Sequence, residues 1–124
     1  MSKSIVIIPT YNESENISIL LGKIINLSVF FNVLDVDDSS PDGTAALVKE
    51  YTNKYKSRIF LESRIKKEGL GKAYTHGFYW ALNRGYDYIF EMDADLSHNA
   101  EDLVRMHKEL DESNCDVIIG SRYV

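Results

Sequence analysis

Several things are scarce in this chain of 124 residues, and each scarcity excludes something. Cysteine occurs once, at Cys115, so no disulfide can form within the chain. That residue reads as a small side chain beside a strand. No run of about 18 apolar residues occurs, so no transmembrane helix is expected. The early apolar stretch Ile5-Val6-Ile7-Ile8-Pro9 is too short for a signal-peptide core and lacks a small-residue cleavage site, which points to a cytoplasmic chain. Proline and glycine are few, and no repeat, linker or low-complexity tract appears. Basic residues are outnumbered, 14 Lys and Arg against 19 Asp and Glu, for a net charge of −5. A nucleic-acid backbone needs a basic footprint, so nucleic acid is not expected as a partner. A small phosphorylated ligand remains open, because one or two cations and a metal can neutralise a diphosphate locally.

What is present alternates strand and helix throughout. Ile5 to Pro9 is a continuous apolar run, as a strand buried on both faces requires. Asn12 and Ser14 offer N-caps for a helix placing Ile17, Leu20, Leu21, Ile24 and Ile25 on one face. A second strand is predicted near Asn32 to Asp37, followed by a turn at Ser39-Ser40-Pro41-Asp42-Gly43. Thr44 can cap a helix with Leu47, Val48, Tyr51 and Tyr55, and Ile59 to Leu61 reads as a third strand. A helix from about Lys72 to Arg84 is predicted to bury Ala73, Tyr74, Gly77, Phe78, Ala81 and Leu82, with Gly85 ending it. Tyr88 to Met92 is a fourth strand, Glu101 to Glu112 a helix burying Leu103, Met106 and Leu110, and Val117-Ile118-Ile119 a fifth strand. This alternation implies a mostly parallel sheet with helices on both faces, a three-layer α/β/α domain over residues 1–124.

Ligands in such sheets bind beyond the carboxyl ends of the strands. The residues there are Thr10-Tyr11-Asn12-Glu13, Asp37-Asp38-Ser39, Met92-Asp93-Ala94-Asp95 and Ser121-Arg122. Three of the four groups are acidic, and like charges repel, so something cationic should sit among them. Asp93-Ala94-Asp95 puts two carboxylates one residue apart just past a buried strand, a set that can grip one hard divalent cation, Mg²⁺ or Mn²⁺, together with phosphate oxygens and water. Asp37-Asp38 can accept hydrogen bonds from a base or ribose. Tyr11 can stack on a base and Glu13 can accept from a ribose hydroxyl. Gly69-Leu70-Gly71-Lys72 precedes a helix, where backbone can approach an anion. His76, His98 and His107 show no metal-ligand spacing and read as structural or surface residues.

Five segments in order resemble glycosyltransferase family 2, most closely its dolichol-phosphate (polyprenol-phosphate) mannosyltransferases. They are Ile7-Ile8-Pro9-Thr10-Tyr11-Asn12-Glu13, Val36 to Thr44, Gly69-Leu70-Gly71-Lys72-Ala73-Tyr74-Thr75-His76-Gly77, Glu91 to His98, and Gly120-Ser121-Arg122-Tyr123. The resemblance implies a Rossmann-like GT-A fold and an inverting transfer of mannose from GDP-mannose, with Mg²⁺ or Mn²⁺. By position, Pro9, Tyr11, Glu13, Val36 and Asp38 would hold the nucleoside. Asp93, Ala94 and Asp95 would hold the diphosphate, metal and sugar, with Asp93 and Asp95 as metal ligands and catalytic groups. Arg122 would reach a phosphate. Ser97 stands where some relatives place a glutamine near the metal.

The resemblance also implies an acceptor, a polyprenol phosphate, used by a full-length protein peripheral to the cytoplasmic face of a membrane. Relatives continue past the fifth strand with an acceptor half. The chain as given is therefore expected to bind donor, to have negligible transferase activity alone, and to self-associate through apolar surface near Val117 to Ile119. Two readings stay beside this one: another family 2 enzyme moving glucose or N-acetylglucosamine from a UDP-sugar, and a non-catalytic nucleotide- or metal-binding domain. The chain departs from the pattern at Lys72 and at Asp35, which sits inside the second strand where an apolar residue is usual. A buried charge is costly unless paired or exposed, so this strand is expected to be at least partly open.

Overall fold

The structure, a computed structural model, describes residues 3–65 and 69–113. The elements run β1 (Ser4–Thr10), α1 (Ile17–Ile25), β2 (Asn32–Asp37), α2 (Thr44–Lys54), β3 (Ile59–Ser63), α3 (Leu70–Asn83), β4 (Tyr88–Glu91) and α4 (Glu101–Ser113). The four strands form one parallel sheet in the order β3-β2-β1-β4. The predicted fifth strand, Cys115 and the Ser121-Arg122 group lie outside the described residues.

Alternate residues of the strands feed two cores. Val6, Ile8 and Val33 pack beneath α1, α2 and α4 against Ile17, Leu20, Leu21, Ile24, Val48 and Leu103. Ile5, Ile7, Leu34 and Val36 face α3, meeting Ala73 and Ala81. The layers are thus α/β/α, as the alternation predicts. Gly77 marks where α3 lies closest to the sheet, because a Cβ there would sit 2.5 Å from Ile7 Cγ2 and 3.3 Å from Val36 Cγ2. Ile7 is fully buried and β-branched, so it has little room to yield. Gly77→Ala should cost about 1–3 kcal/mol of stability, the usual cost of overpacking a filled core, read from the shift of the urea midpoint.

The same contact corrects the sequence reading of α3. Phe78 and Leu82 are exposed at 41% and 47%, not buried, because α3 packs through its small residues Ala73, Gly77 and Ala81. The caps differ too. Neither Asn12 nor Ser14 caps α1, whose N-cap is Asn16; the backbone carbonyl of Glu13 takes the N–H groups of Asn16 and Ile17 at 3.0 and 2.9 Å. Thr44 is the first residue of α2 and not its cap; Asp42 Oδ1 accepts its N–H at 3.1 Å. Gly85 ends α3 with φ +73°, as predicted.

The largest correction concerns Asp35. β2 lies between β3 and β1, and Asp35 pairs in register with Ile8 on one side and Leu61 on the other. The strand is not open, and Asp35 is 0% exposed.

Candidate functional site

The chain reverses its direction of growth across the sheet at β1, with β2 and β3 added on one side and β4 on the other. Open parallel sheets carry their ligand crevice at such a switch point, beyond the carboxyl ends of the strands. A cleft of about 240 Å³ lies there, lined by Pro9, Thr10, Tyr11, Glu13, Asp38, Gly69, Ala73, Asp93, Ala94 and Asp95. Of the nine residues proposed from the sequence, seven line it. Val36 does not; it is buried in the core facing α3. Arg122 lies outside the described residues.

Each wall follows from local chain geometry. Three of the loops beyond the strands carry a non-glycine residue in the left-handed region, Asn12 (φ 56°), Ser39 (φ 56°) and Leu96 (φ 64°). Such a conformation is costly for leucine in particular, and strained backbone collects at functional sites. Gly69, with φ +98°, starts α3 at the cleft rim, so the helix's N-terminal end faces the site and favours an anion.

On the acidic wall, Tyr74 donates its hydroxyl to Asp93 Oδ1 at 2.7 Å. Burial first, then this bond, raises the Tyr74 pKa, so the phenol stays a donor. The backbone N–H of Ser97 donates to Asp95 Oδ1 at 2.9 Å, which places Ser97 beside Asp95 through its main chain. Glu91 is raised by burial and then by the Asp93 charge. Two hard carboxylates suit Mg²⁺ or Mn²⁺, and among the described residues no group of three His, Cys, Asp or Glu forms a fuller cage. A cation bound with two protein carboxylates, phosphate oxygens and water fits this donor set.

On the opposite wall Asp38 meets Arg64, Nε to Oδ1 at 3.4 Å, with both side chains nearly buried. Arg64 is thus one cation among the strand-end acids, and neither it nor Tyr74 was singled out from the sequence. The signal for Arg64 was its place just past β3, beside the end of β2; that for Tyr74 was its place next to Ala73 in the glycine-rich segment. Asp37 does not line the cleft. Its Oδ1 accepts from Thr10 and Ser40 hydroxyls at 2.8 and 2.6 Å, and its Oδ2 from the Ser40 N–H at 3.0 Å. Glu13 is half-buried and accepts from Asn16 Nδ2 at 3.2 Å, while Tyr11 is exposed at 37%. Among the described residues no histidine belongs to a group that could hold a metal; His76 pairs with Glu62 at 3.1 Å, and His107 packs against Phe31, Tyr88 and Phe90.

The family profile that matches is that of glycosyl transferase family 2, over residues 5–124. The chain belongs to glycosyltransferase family 2. Its fold is the GT-A fold of that family's solved structures. The polyprenol monophosphomannose synthase of Mycolicibacterium smegmatis is 46% identical over 122 residues, 98% of this chain and 46% of that protein. The undecaprenyl-phosphate mannosyltransferase of Micrococcus luteus is 43% identical over 120 residues, 97% of this chain and 48% of that protein. The chain therefore spans about half the length of the curated relatives it matches. Among solved structures, a Pyrobaculum calidifontis mannosyltransferase in complex with GDP-mannose and Mn²⁺ superposes with a TM-score of 0.75 at 26% identity, over 87% of this chain and 32% of that one. TarS residues 1–349 of S. aureus in complex with UDP-GlcNAc also superposes at 0.75, with 28% identity over 90% of this chain and 32% of that one. Among the described residues of this family 2 chain, no helix is long and apolar enough to cross a membrane.

Proposed function

We propose that this chain is the donor-binding part of an inverting, metal-dependent mannosyltransferase that takes GDP-mannose and delivers mannose to a polyprenol phosphate. The acceptor is lipid-linked, so the full-length protein works at a membrane surface. The observation that carries the reading is a cleft at the sheet's switch point, which gathers Pro9, Tyr11, Glu13 and Asp38 with Asp93, Ala94 and Asp95. The naming of two relatives as polyprenol-linked mannosyl enzymes supports the sugar and the acceptor. The neighbour bound to GDP-mannose and Mn²⁺ supports the base and the metal.

In this reading the base stacks on Tyr11 and the ribose hydroxyls reach Glu13 and Asp38. Arg64 holds the Asp38 side chain in place through their ion pair. Asp93 and Asp95 hold the divalent cation, which when bound neutralises charge on the departing diphosphate. Tyr74 orients Asp93 by donating to one of its oxygens. The N-terminal end of α3 at Gly69, and Arg122 by its place in the sequence, add positive potential toward the phosphates. An acceptor phosphate oxygen attacks the anomeric carbon as the bond to the GDP oxygen breaks, giving mannosyl-phosphate lipid and GDP. A phosphate monoester with a second pKa of about 6 is already ionised at neutral pH, so the attack needs no protein base.

Calorimetric titration with GDP, UDP, GDP-mannose and UDP-glucose, with and without Mn²⁺, tests the reading. GDP and GDP-mannose should bind more tightly than their uridine counterparts, and only strongly when metal is present. A preference for UDP would transfer the reading to a UDP-sugar enzyme of the same family, and the absence of metal-dependent binding by any of the four would overturn it.

A further inference from the structure

The strangest residue in the chain is Asp35, a carboxyl group with no exposure in the middle of a parallel sheet. Its Oδ1 lies 2.6 Å from Thr10 Oγ1, and Thr10 Oγ1 lies 2.8 Å from Asp37 Oδ1. A threonine hydroxyl carries one proton, yet two acid oxygens sit at hydrogen-bond distance from it. One more proton must be present, and it belongs to one of the two acids.

Three observations place it on Asp35. Asp37 already receives three donors, the Thr10 and Ser40 hydroxyls and the Ser40 N–H, which suits a carboxylate. Asp35 has Thr10 alone, and its Oδ2 is buried with no hydrogen-bond partner, tolerable for the carbonyl oxygen of a neutral acid and very costly for a carboxylate. Among the described residues no cation compensates it. The core on its face of the sheet holds Ile8 of β1, Leu61 of β3, and Ile17, Leu20, Leu21 and Val48 of α1 and α2; the charged group that acts on Asp35 is Asp37, which opposes ionisation. Burial raises its pKa in the same sense.

The hydrogen bonds then run in one direction, Asp35 to Thr10 to Asp37. Ser40 closes the far end, donating to Asp37 while its oxygen accepts the Asn12 N–H at 2.9 Å. Thr10 lines the cleft between Pro9 and Tyr11, and its carbonyl accepts the Asp38 N–H at 3.0 Å. The chain of bonds therefore ties the loop after β1 to the loop after β2, the two that wall the nucleoside end.

We propose that Asp35 is a positioning residue for the nucleoside end of the cleft, acting as a neutral carboxylic acid that donates its proton to Thr10. The proposal concerns the nucleotide site set out above, but its first test needs no nucleotide. NMR titration of the aspartate side-chain carboxyl carbons should show one group still protonated at neutral pH, and that signal should vanish in Asp35→Asn. If every aspartate has ionised by about pH 5, near the ordinary carboxylate range, the proposal is wrong whatever the protein binds.

The second test reads GDP affinity in Mn²⁺ against pH. Asp35→Val, which has no donor, should weaken binding by about two- to tenfold, the range one net hydrogen bond spans. Asp35→Asn keeps a donor but cannot ionise, so it should restore what Asp35→Val loses. It should also lack the alkaline decline that the wild type shows as Asp35 gives up its proton. An alkaline decline of equal size in Asp35→Asn, or full affinity in Asp35→Val, would show that Asp35 positions nothing.

Discussion

Asp95→Ala should lower Mn²⁺-dependent GDP affinity by at least about 100-fold while leaving the fold as stable as before. Loss of a residue that merely orients a metal ligand costs about 10–100-fold in metal affinity, and loss of a ligand should cost no less. Among the described residues no third His, Cys, Asp or Glu joins Asp93 and Asp95 in a group that could hold a cation, so removing Asp95 leaves Asp93 alone with phosphate and water. Stability should change by less than about 1 kcal/mol, because Asp95 is exposed. The lost bond from the Ser97 N–H is offset by relief of repulsion with Asp93, the neighbour whose charge also raises Glu91. Affinity measured with and without Mn²⁺ on the variant, beside a urea melt, separates the two effects. Metal-dependent binding that survives in Asp95→Ala would remove Asp93 and Asp95 from the role given to them.

Much of this site was legible because a parallel sheet converts sequence position into spatial position. Thr10, Asp37 and Glu91 end three neighbouring strands, so whatever follows them must meet at one edge. The acids of that edge could be named without coordinates. Their partners could not. Arg64 reaches Asp38 only because β3 lies next to β2, and Tyr74 reaches Asp93 only because α3 crosses the face of β1. Strand order and helix docking are tertiary facts that no local pattern spells out.

Two sequence readings failed for instructive reasons. Phe78 and Leu82 looked like core because they are apolar at helical spacing. Side-chain size decided otherwise, since Ala73, Gly77 and Ala81 recur every four residues and let α3 lie flat on Ile7 and Val36. Hydrophobic periodicity finds the helix, but small residues choose which face touches the sheet. Asp35 was weighed between a paired charge and an exposed one. A third state, an acid buried without its charge, avoids most of the desolvation cost, and the single proton on Thr10 is what reveals it.

That third state has a thermodynamic consequence larger than its effect on binding. In the unfolded chain an aspartate ionises near pH 3.9, whereas in the folded chain burial and the Asp37 charge hold the Asp35 proton to higher pH. Below the unfolded value both states carry the proton and Asp35 adds no pH dependence. Above it the unfolded chain releases a proton that the folded chain keeps, so stability falls as pH rises. The slope is about 1.4 kcal/mol per pH unit, and it persists until the folded acid also ionises. Asp42 works in the opposite sense and in a different window. Its pKa is lowered to about 2, chiefly by the Thr44 hydroxyl, so its contribution is present above the unfolded aspartate value and is lost as pH falls toward about 2. Glu91 is raised, like Asp35, so the wild-type curve alone mixes the two. Subtracting the curve of Asp35→Val isolates Asp35. The variant should be more stable than the wild type at pH 7, because a valine of similar volume fills the site with nothing to desolvate. The difference between them should shrink steadily as pH is lowered toward about 4. Paired urea melts across that range measure it, and a stability difference that does not change with pH would mean that Asp35 is ionised in the folded chain and that the proton count at Thr10 has another explanation.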